Sequence, residues 1–242
     1  MGRNNQPHRG FSRGRSTDTR EIAIRFLIIS EDTKSSTDYF NALIKEVQAA
    51  CSGSEVVGIA KDSVVEGYGM STSRLLQEAK SIRSRRQISF DRCWLVFDKD
   101  DFSDFNRAIR EATDAGFEVA WSNESFELWY LLHFRYQNTA IPRDKCMKAL
   151  EAEIQKYKPS FRYDKGSSSM HSILAEHGDQ GQAIKYAEKL RNTYQDTDYS
   201  SHNPCTHVDR LIREIIDPEE RKKILQKSKS HKTDLHKEGF YI

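Results

Sequence analysis

The chain has 242 residues, 37% of them hydrophobic and 10% aromatic, which is enough for one large domain or one domain with a smaller appendage. Its formal net charge is only +2, yet residues 1–20 hold five Arg against one Asp, residues 221–242 hold seven Lys or Arg against two acids, and the part between carries about −7. With no C-x-x-C pair and no apolar run near the roughly 18 residues that cross a bilayer, the sequence excludes zinc, disulfide and membrane-spanning architectures and predicts a cytoplasmic protein.

The two ends of the chain are predicted to be basic arms. Residues 1–20 mix Arg with Gly, Asn, Ser and Gln and have little to bury, which predicts disorder, and residues 221–242 form a basic C-terminal tail. An acidic body between basic arms suits a protein that holds a metal ion in its body and touches polyanions with its ends. The alternative is that the arms only keep the protein soluble.

Residues 21–135 are predicted to form an α/β domain. Apolar runs predict strands, and 3.6-residue periodicities predict helices between them. The predicted strands are 22–29, 56–60, 93–97 and 117–121, and the predicted helices are 39–47, 72–84, 105–115 and 126–134. Segment 61–72 is predicted to be a loop, whose Gly67-x-Gly69 pair lacks the third glycine of a dinucleotide-binding fingerprint. The alternation of strand and helix predicts a parallel sheet with flanking helices.

Residues 136–220 are predicted to be a mainly helical extension, with amphipathic helices at 143–157, 180–194 and 208–216. Between the first two helices, basic residues interleave with aromatic ones. Lys158, Arg162 and Lys165 are therefore candidates for contact with phosphates, while neighbouring rings could stack on bases. A solvated loop is an equally good interpretation of this composition.

Carboxylates follow two of the predicted strands. Asp98, Asp100 and Asp101 come directly after the apolar run 93–97, and Glu31 follows the first strand. The carboxyl ends of parallel strands are where ligands bind in open α/β sheets, and clustered carboxylate oxygens suit Mg²⁺ or Mn²⁺. Asp98 and Asp100 are two apart, so a regular strand points both to one face. The alternative for these acids is a helix N-cap, which is favoured for Asp101 or Asp104.

Three further polar residues have competing interpretations. Lys34 either contacts a phosphate or is solvated. Glu127 lies in a strongly apolar helix, where pairing with Arg or with backbone is favoured over metal ligation. His133 stands between Leu132 and Phe134, which favours a packed, hydrogen-bonded histidine over a ligand.

The acidic motifs belong to longer blocks that resemble a known protein family. These blocks are Ser-Glu-Asp at 30–32, Asp-Tyr-Phe at 38–40, Val-Phe-Asp-Lys-Asp-Asp at 96–101, the Phe-Glu-Leu-Trp-Tyr-Leu-Leu-His-Phe run at 126–134 and Asn-Pro-Cys-Thr-His-Val at 203–208. They resemble the RloB-like proteins, which carry a Toprim-type catalytic domain and occur in bacterial restriction and phage-defence loci. The resemblance covers roughly residues 22–216. It implies that Glu31 is the Toprim glutamate and that Asp98 and Asp100 are its metal-binding Asp-x-Asp.

The chain departs from the family pattern in two places. Where relatives usually read Glu-Gly-Glu-Lys-Thr-Glu-Pro, residues 31–37 read Glu-Asp-Thr-Lys-Ser-Ser-Thr, so two acids and a turn glycine are lost. The loss of these two acids argues against a second metal ion held by this loop. Glu124-Ser125 replaces a usual Pro-Cys pair, a change expected only to alter the helix start.

These observations predict a nuclease that uses Mg²⁺ or Mn²⁺ to cleave DNA or RNA, tRNA included, in anti-phage defence of the abortive-infection kind. The resemblance also implies an ATPase partner; no P-loop occurs in this sequence, so any use of ATP would come from that partner. A homo-oligomer stays open. One alternative is a non-catalytic module that binds nucleic acid or the ATPase. Another is a HAD-type phosphatase, whose Asp-x-Asp would lie on the first strand and continue with Thr or Val.

Overall fold

The structure is a computed structural model that describes residues 22–53, 56–99 and 103–238, with side chains as far as residue 228. The predicted arm 1–20 and the candidate ligands Asp100 and Asp101 lie outside these residues. The strands are β1 Ala23–Ile24, β2 Phe26–Ser30, β3 Gly58–Ile59, β4 Val64–Gly67, β5 Arg92–Asp98, β6 Glu118–Asn123 and β7 Cys205–Thr206. The helices are α1 Ser35–Cys51, α2 Thr72–Arg85, α3 Phe105–Asp114, α4 Glu127–Leu132, α5 Arg143–Gln155, α6 Met170–His177, α7 Gln180–Arg191, α8 Val208–Ile216 and α9 Pro218–Glu238.

A five-stranded, mostly parallel sheet forms the centre of the molecule. Its order is β4-β2-β5-β6-β7, and only β7 runs antiparallel to its neighbour. Helices flank the sheet, and a helical portion follows it, so the predicted fold class is confirmed. Strand β5 lies in the middle, with Ser30 beside Val96 and Asp98 beside Ser122. The carboxyl ends of β2, β5 and β6 therefore meet at one edge of the sheet.

The two central strands are apolar on both faces because helices cover both sides of the sheet. Phe26 and Ile28 of β2 pack into a core formed with α1, α4 and the C-terminal helices. Leu27 and Ile29 point the opposite way, into a second core with α2 and α3. The run 93–97 of β5 is likewise buried throughout. Uninterrupted hydrophobicity here reflects a strand enclosed on both faces.

The sequence-based strand assignment is wrong at one edge of the sheet. Residues 64–67 were expected to be loop but form β4, which pairs with β2. The predicted strand 56–60 contributes only β3, which pairs with β1 outside the main sheet. Arg25 divides the first apolar run, because its backbone N–H donates to Asp91 Oδ2 and its guanidinium pairs with Asp62. The chain therefore makes two short parallel pairings where one strand was predicted.

The last helix packs against the body of the protein through a buried arginine. Arg221 is 1% exposed, and its guanidinium donates to Val57 O at 2.7 Å and to Ile215 O. The predicted basic tail, residues 221–242, thus begins inside α9. Helices α6 and α9 were not predicted, whereas α5, α7 and α8 lie where periodicity placed them. In the part of the chain that the structure describes, no helix combines the length and apolarity needed to cross a bilayer.

Candidate metal-binding cleft

A cleft of about 370 Å³ opens at the edge of the sheet where β2 and β5 end. Its lining comes from the ends of β2 and β5, the loops after β2 and β4, the first turn of α1, the residue before α4, the start of α5 and the loop before α6. The lining residues are Ser30, Glu31, Asp32, Thr33, Ser36, Gly69, Met70, Ser71, Val96, Phe97, Asp98, Phe126, Arg143 and Lys165. Acidic and basic side chains thus share one cavity.

Asp98 is the last residue of β5 and lies in a costly position for a negative charge. Burial raises the pKa of its carboxyl to about 8, and the nearby charge of Glu127 acts in the same direction. The positive charges of Arg143 and Lys165 lower this pKa but do not cancel the effect of burial. A carboxyl held in this way favours either a proton or a bound cation.

Glu31 is brought to the same cleft by the strand beside β5. Its backbone N–H donates to Val96 O at 2.9 Å, which extends the β2–β5 pairing by one residue. Glu31 and Asp98 both line the cleft. Asp100 and Asp101 lie outside the described residues, so their predicted part in the site stays a prediction.

The loop after Glu31 is held by its own hydrogen bonds. The Asp32 carboxylate accepts from the backbone N–H groups of Lys34 and Ser36, each at 3.1 Å, and so caps the start of α1. Ser36 also hydrogen-bonds the Ser30 hydroxyl at 2.6 Å, and Thr37 Oγ1 donates to Asp32 O at 2.6 Å. Asp32 therefore serves the helix start, a role that the sequence interpretation missed although Asp is a preferred capping residue.

Gly67 is needed for the close approach of β4 to this loop. A Cβ at Gly67 would lie 2.2 Å from Asp32 O and 2.5 Å from Thr37 Oγ1. We expect Gly67→Ala to lower the free energy of unfolding by about 1–3 kcal/mol, as overpacking does elsewhere. Gly58→Ala is the matched control, because its Cβ would meet only Cys51 Cβ at 3.7 Å. Thermal melts of both variants test this, and equal melting temperatures would contradict it.

Glu127 is fully buried behind the cleft, and the expected partner for it is wrong. Among the described residues, neither an arginine nor backbone pairs with it: the Tyr163 hydroxyl donates to its Oε1 at 2.6 Å. Its Oε2 is buried and has no hydrogen-bond partner among the described residues. Sequence reasoning could not have found Tyr163, because 36 residues separate the two.

The other polar residues singled out from the sequence lie in several places. His133 is confirmed as a packed histidine: its Nδ1 lies 3.0 Å from Trp129 O, and burial lowers its pKa to about 4. Lys34 is exposed at the start of α1, and Lys165 lines the cleft. Lys158 pairs with Glu176 at 3.9 Å and Arg162 donates to Phe161 O, both outside the cleft lining.

Arg143 is a cleft residue that the sequence interpretation missed. It is the first residue of α5, and its backbone N–H donates to Glu124 Oε2 at 3.0 Å while its guanidinium donates to Glu124 O at 2.8 Å. Asn203 donates to Glu124 Oε1 at 3.2 Å. The Glu124 substitution thus does more than alter the start of α4, since its carboxylate caps α5. The sequence carries a signal for the helix start that positions Arg143: Pro142 stands directly before it, and proline often marks a helix start.

The cleft residues fit a hard divalent cation in their chemistry. Within residues 22–53, 56–99 and 103–238, no three His, Cys, Asp or Glu side chains converge in a geometry that would hold a metal ion. Glu31 and Asp98 nevertheless supply carboxylate oxygens to one cavity, Asp100 follows two residues later, and Glu127 Oε2 is a buried oxygen without a hydrogen bond among described residues. Such oxygen donors are those that Mg²⁺ and Mn²⁺ prefer.

Comparison with known protein families identifies the family of this chain. A family model described as RloB-like protein matches residues 26–215. The matched range runs from β2 into α8 and includes every residue that lines the cleft. Comparison with curated proteins and with solved structures found no match.

Proposed function

The chain belongs to the RloB-like family, and from this premise we propose that it is a nuclease that hydrolyses phosphodiester bonds of DNA or RNA with Mg²⁺ or Mn²⁺, in defence against phage. One observation carries the proposal: the acids Glu31 and Asp98 share a cleft with the cations Arg143 and Lys165. Acids suit a divalent ion, and cations suit the phosphate that such an ion must meet.

The proposed chemistry divides the cleft residues into two groups. Asp98 and Asp100 would hold the ion, and Glu31 would either complete its ligand shell or accept a proton from the attacking water. A bound divalent ion would neutralise charge on the phosphate and lower the pKa of that water. Arg143 and Lys165 would bind the phosphate oxygens and orient the scissile bond. Arg143 is suited to this because Glu124 fixes its helix and its guanidinium.

A second candidate function is a non-catalytic nucleic-acid-binding module. It is favoured by loop 31–37, where Asp32 caps α1 and the positions of two family acids are Thr33, which is exposed, and Ser36, which is buried. Such a module would retain the cations of the cleft and lose cleavage.

Incubation of the purified full chain with plasmid, single-stranded DNA and tRNA separates the two functions. The nuclease proposal expects cleavage of at least one substrate with Mg²⁺ or Mn²⁺ and none with EDTA. Binding of the same substrates without cleavage under any condition would favour the module. Turnover of p-nitrophenyl phosphate would instead indicate a phosphatase.

Partners follow from the same proposal. The proposed substrate is nucleic acid and the proposed protein partner is an ATPase; any use of ATP would come from that partner, because the sequence contains no P-loop of its own. Co-purification of the chain with such an ATPase, and ATP dependence of cleavage by the pair only, is the expected result.

The N-terminal arm is expected to add affinity that does not depend on nucleic-acid sequence. Residues 1–20 hold five Arg, so their removal should flatten the slope of log K against log salt by up to about 4, as fewer counterions are released. Fluorescence anisotropy at several salt concentrations measures the slope. The basic C-terminal tail can be tested in the same way, but only the part after residue 228 should be removed, because Arg221 and Ile224 are buried in the body of the protein. An unchanged slope would show that the arm touches no phosphate.

A further inference from the structure

A short segment before α6, residues 161–167, crosses the start of α1 and reaches the cleft; we name it the strap. The Ser35 hydroxyl, at the first residue of α1, donates to Lys165 O. Gly166 packs on the side chain of Lys34, whose Cδ would lie 3.2 Å from a Cβ at that glycine. The C-terminal part of the strap, at Lys165 and Gly166, is thus attached to the start of α1.

Tyr163 attaches the amino side of the strap to two other helices. Its hydroxyl donates to Glu127 Oε1 of α4 at 2.6 Å, and its backbone N–H donates to Glu151 Oε2 of α5 at 2.7 Å. Burial and the charge of Glu127 raise the pKa of Tyr163, so the hydroxyl keeps its proton and remains a donor. Because Glu127 is fully buried, loss of this donor leaves a carboxylate in the interior without its hydrogen bond.

Lys165 is the cation that the strap delivers to the cleft. It lines the cavity, and its charge acts on the Asp98 carboxyl. The strap's other cation, Arg162, donates to the neighbouring Phe161 O and does not line the cavity. The attachments lie at Tyr163 and at the Lys165 carbonyl, so the backbone on both sides of the lysine side chain is held. Among the described residues, no hydrogen bond or ion pair engages the lysine side chain itself.

We propose that Tyr163 is a positioning residue: through its hydrogen bonds to Glu127 and Glu151 it holds the strap so that Lys165 binds a phosphate of the nucleic acid in the cleft. This proposal rests on the proposed function, since it concerns the same cleft. It adds a residue outside the cleft that sets substrate affinity and that touches neither metal nor substrate.

A double-mutant cycle tests the proposal in the full chain. The probe is a fluorescein-labelled single-stranded oligonucleotide, and its dissociation constant is measured by anisotropy in EDTA, so that no cleavage occurs. Lys165→Ala and Tyr163→Phe are each expected to weaken binding about tenfold, the effect of one hydrogen bond to a charged group. The combined variant is expected to bind no more weakly than Lys165→Ala alone, because both changes remove the same contact.

Two further variants make the outcome decisive. Tyr157→Phe is the matched control, since Tyr157 is 55% exposed and its hydroxyl has no hydrogen-bond partner among described residues; its affinity should equal that of the parent. Ser35→Ala removes the other attachment and should show the same lack of additivity with Lys165→Ala, which keeps the test valid if Tyr163→Phe is unstable. The proposal would be overturned if the combined variant lost affinity by the product of the two single losses. It would also be overturned if Tyr163→Phe kept the affinity of the parent, or if the parent bound no oligonucleotide.

The strap and the nuclease proposal can fail separately. Coupled losses of binding in a protein that never cleaves would uphold the strap and overturn the nuclease. Metal-dependent cleavage with independent losses at Tyr163 and Lys165 would do the reverse.

Discussion

Asp98→Asn is expected to abolish metal-dependent cleavage while leaving the metal-free protein at least as stable as the parent. Burial makes the Asp98 charge costly, so a neutral side chain of the same shape relieves the fold. The same change removes a carboxylate oxygen that would bind the ion. Since a catalytic ion contributes several kcal/mol to transition-state stabilisation, we expect a loss of at least about a thousandfold in rate. Cleavage rate and melting temperature in EDTA are the two measurements.

Asp104→Asn provides the matched control for this substitution. Asp104 lies at the N-cap of α3 and accepts from the Ser73 hydroxyl, outside the cleft lining. Its change should lower the melting temperature slightly and leave cleavage unaffected. If Asp98→Asn instead unfolds the protein, and divalent ions do not raise the melting temperature of the parent, Asp98 has a structural role and the binding module is the better account.

The stability of the metal-free protein is expected to fall as pH rises from about 7.5 to 8.5. The pKa of Asp98 is raised above its unfolded value, to about 8, so the native state holds more protons than the unfolded state below that pH. The stabilising effect of the proton is complete below the unfolded pKa near 4 and is lost as pH rises through 8. At a maximal slope of about 1.4 kcal/mol for each pH unit, the loss over this window is on the order of 1 kcal/mol.

Two histidines act with the opposite sign, and they set the pH window for this test. Burial lowers the pKa of His133 to about 4 and that of His207 to about 3, so both add stability as pH rises towards 6.5. Above about pH 7.5, one unit over the unfolded histidine pKa, their contributions are nearly constant, so the difference in slope between the parent and Asp98→Asn reports Asp98. Thermal or urea unfolding in EDTA measures it; Asp98→Asn should flatten the slope, and saturating Mg²⁺ should restore the stability of the parent at pH 8.5. An equal slope in the variant would assign the titration to another group.

The sequence predicted the centre of the fold because local signals are strong there. The run 93–97 is apolar at every position, as a strand enclosed between helices requires, and it forms the central strand. Strand β4 was missed because its existence depends on pairing with β2, a distant partner, and residues 61–72 carry glycines that locally favour a loop. Short edge strands of this kind are set by tertiary contact.

Part of the candidate site was likewise predictable from the sequence, and part was not. Glu31 and Asp98 could be placed in one cleft from sequence, since parallel strand ends lie side by side. The position of Arg143 and the Tyr163–Glu127 hydrogen bond could not be predicted from the sequence. They exist because helices and loops of the C-terminal portion fold back over the edge of the sheet. The acids belong to a regular element with a known direction, whereas the cations depend on how that portion packs.

Direct measurement of divalent-ion binding tests the central claim, that the edge where β2 and β5 end is a metal site used for catalysis. Isothermal titration of Mg²⁺ or Mn²⁺ into the parent, Asp98→Asn, Glu31→Gln and Asp104→Asn proteins at pH 8 is the experiment. We expect saturable binding to the parent and to Asp104→Asn, and none to the other two. Equal binding to all four proteins, or none to any, would contradict the claim.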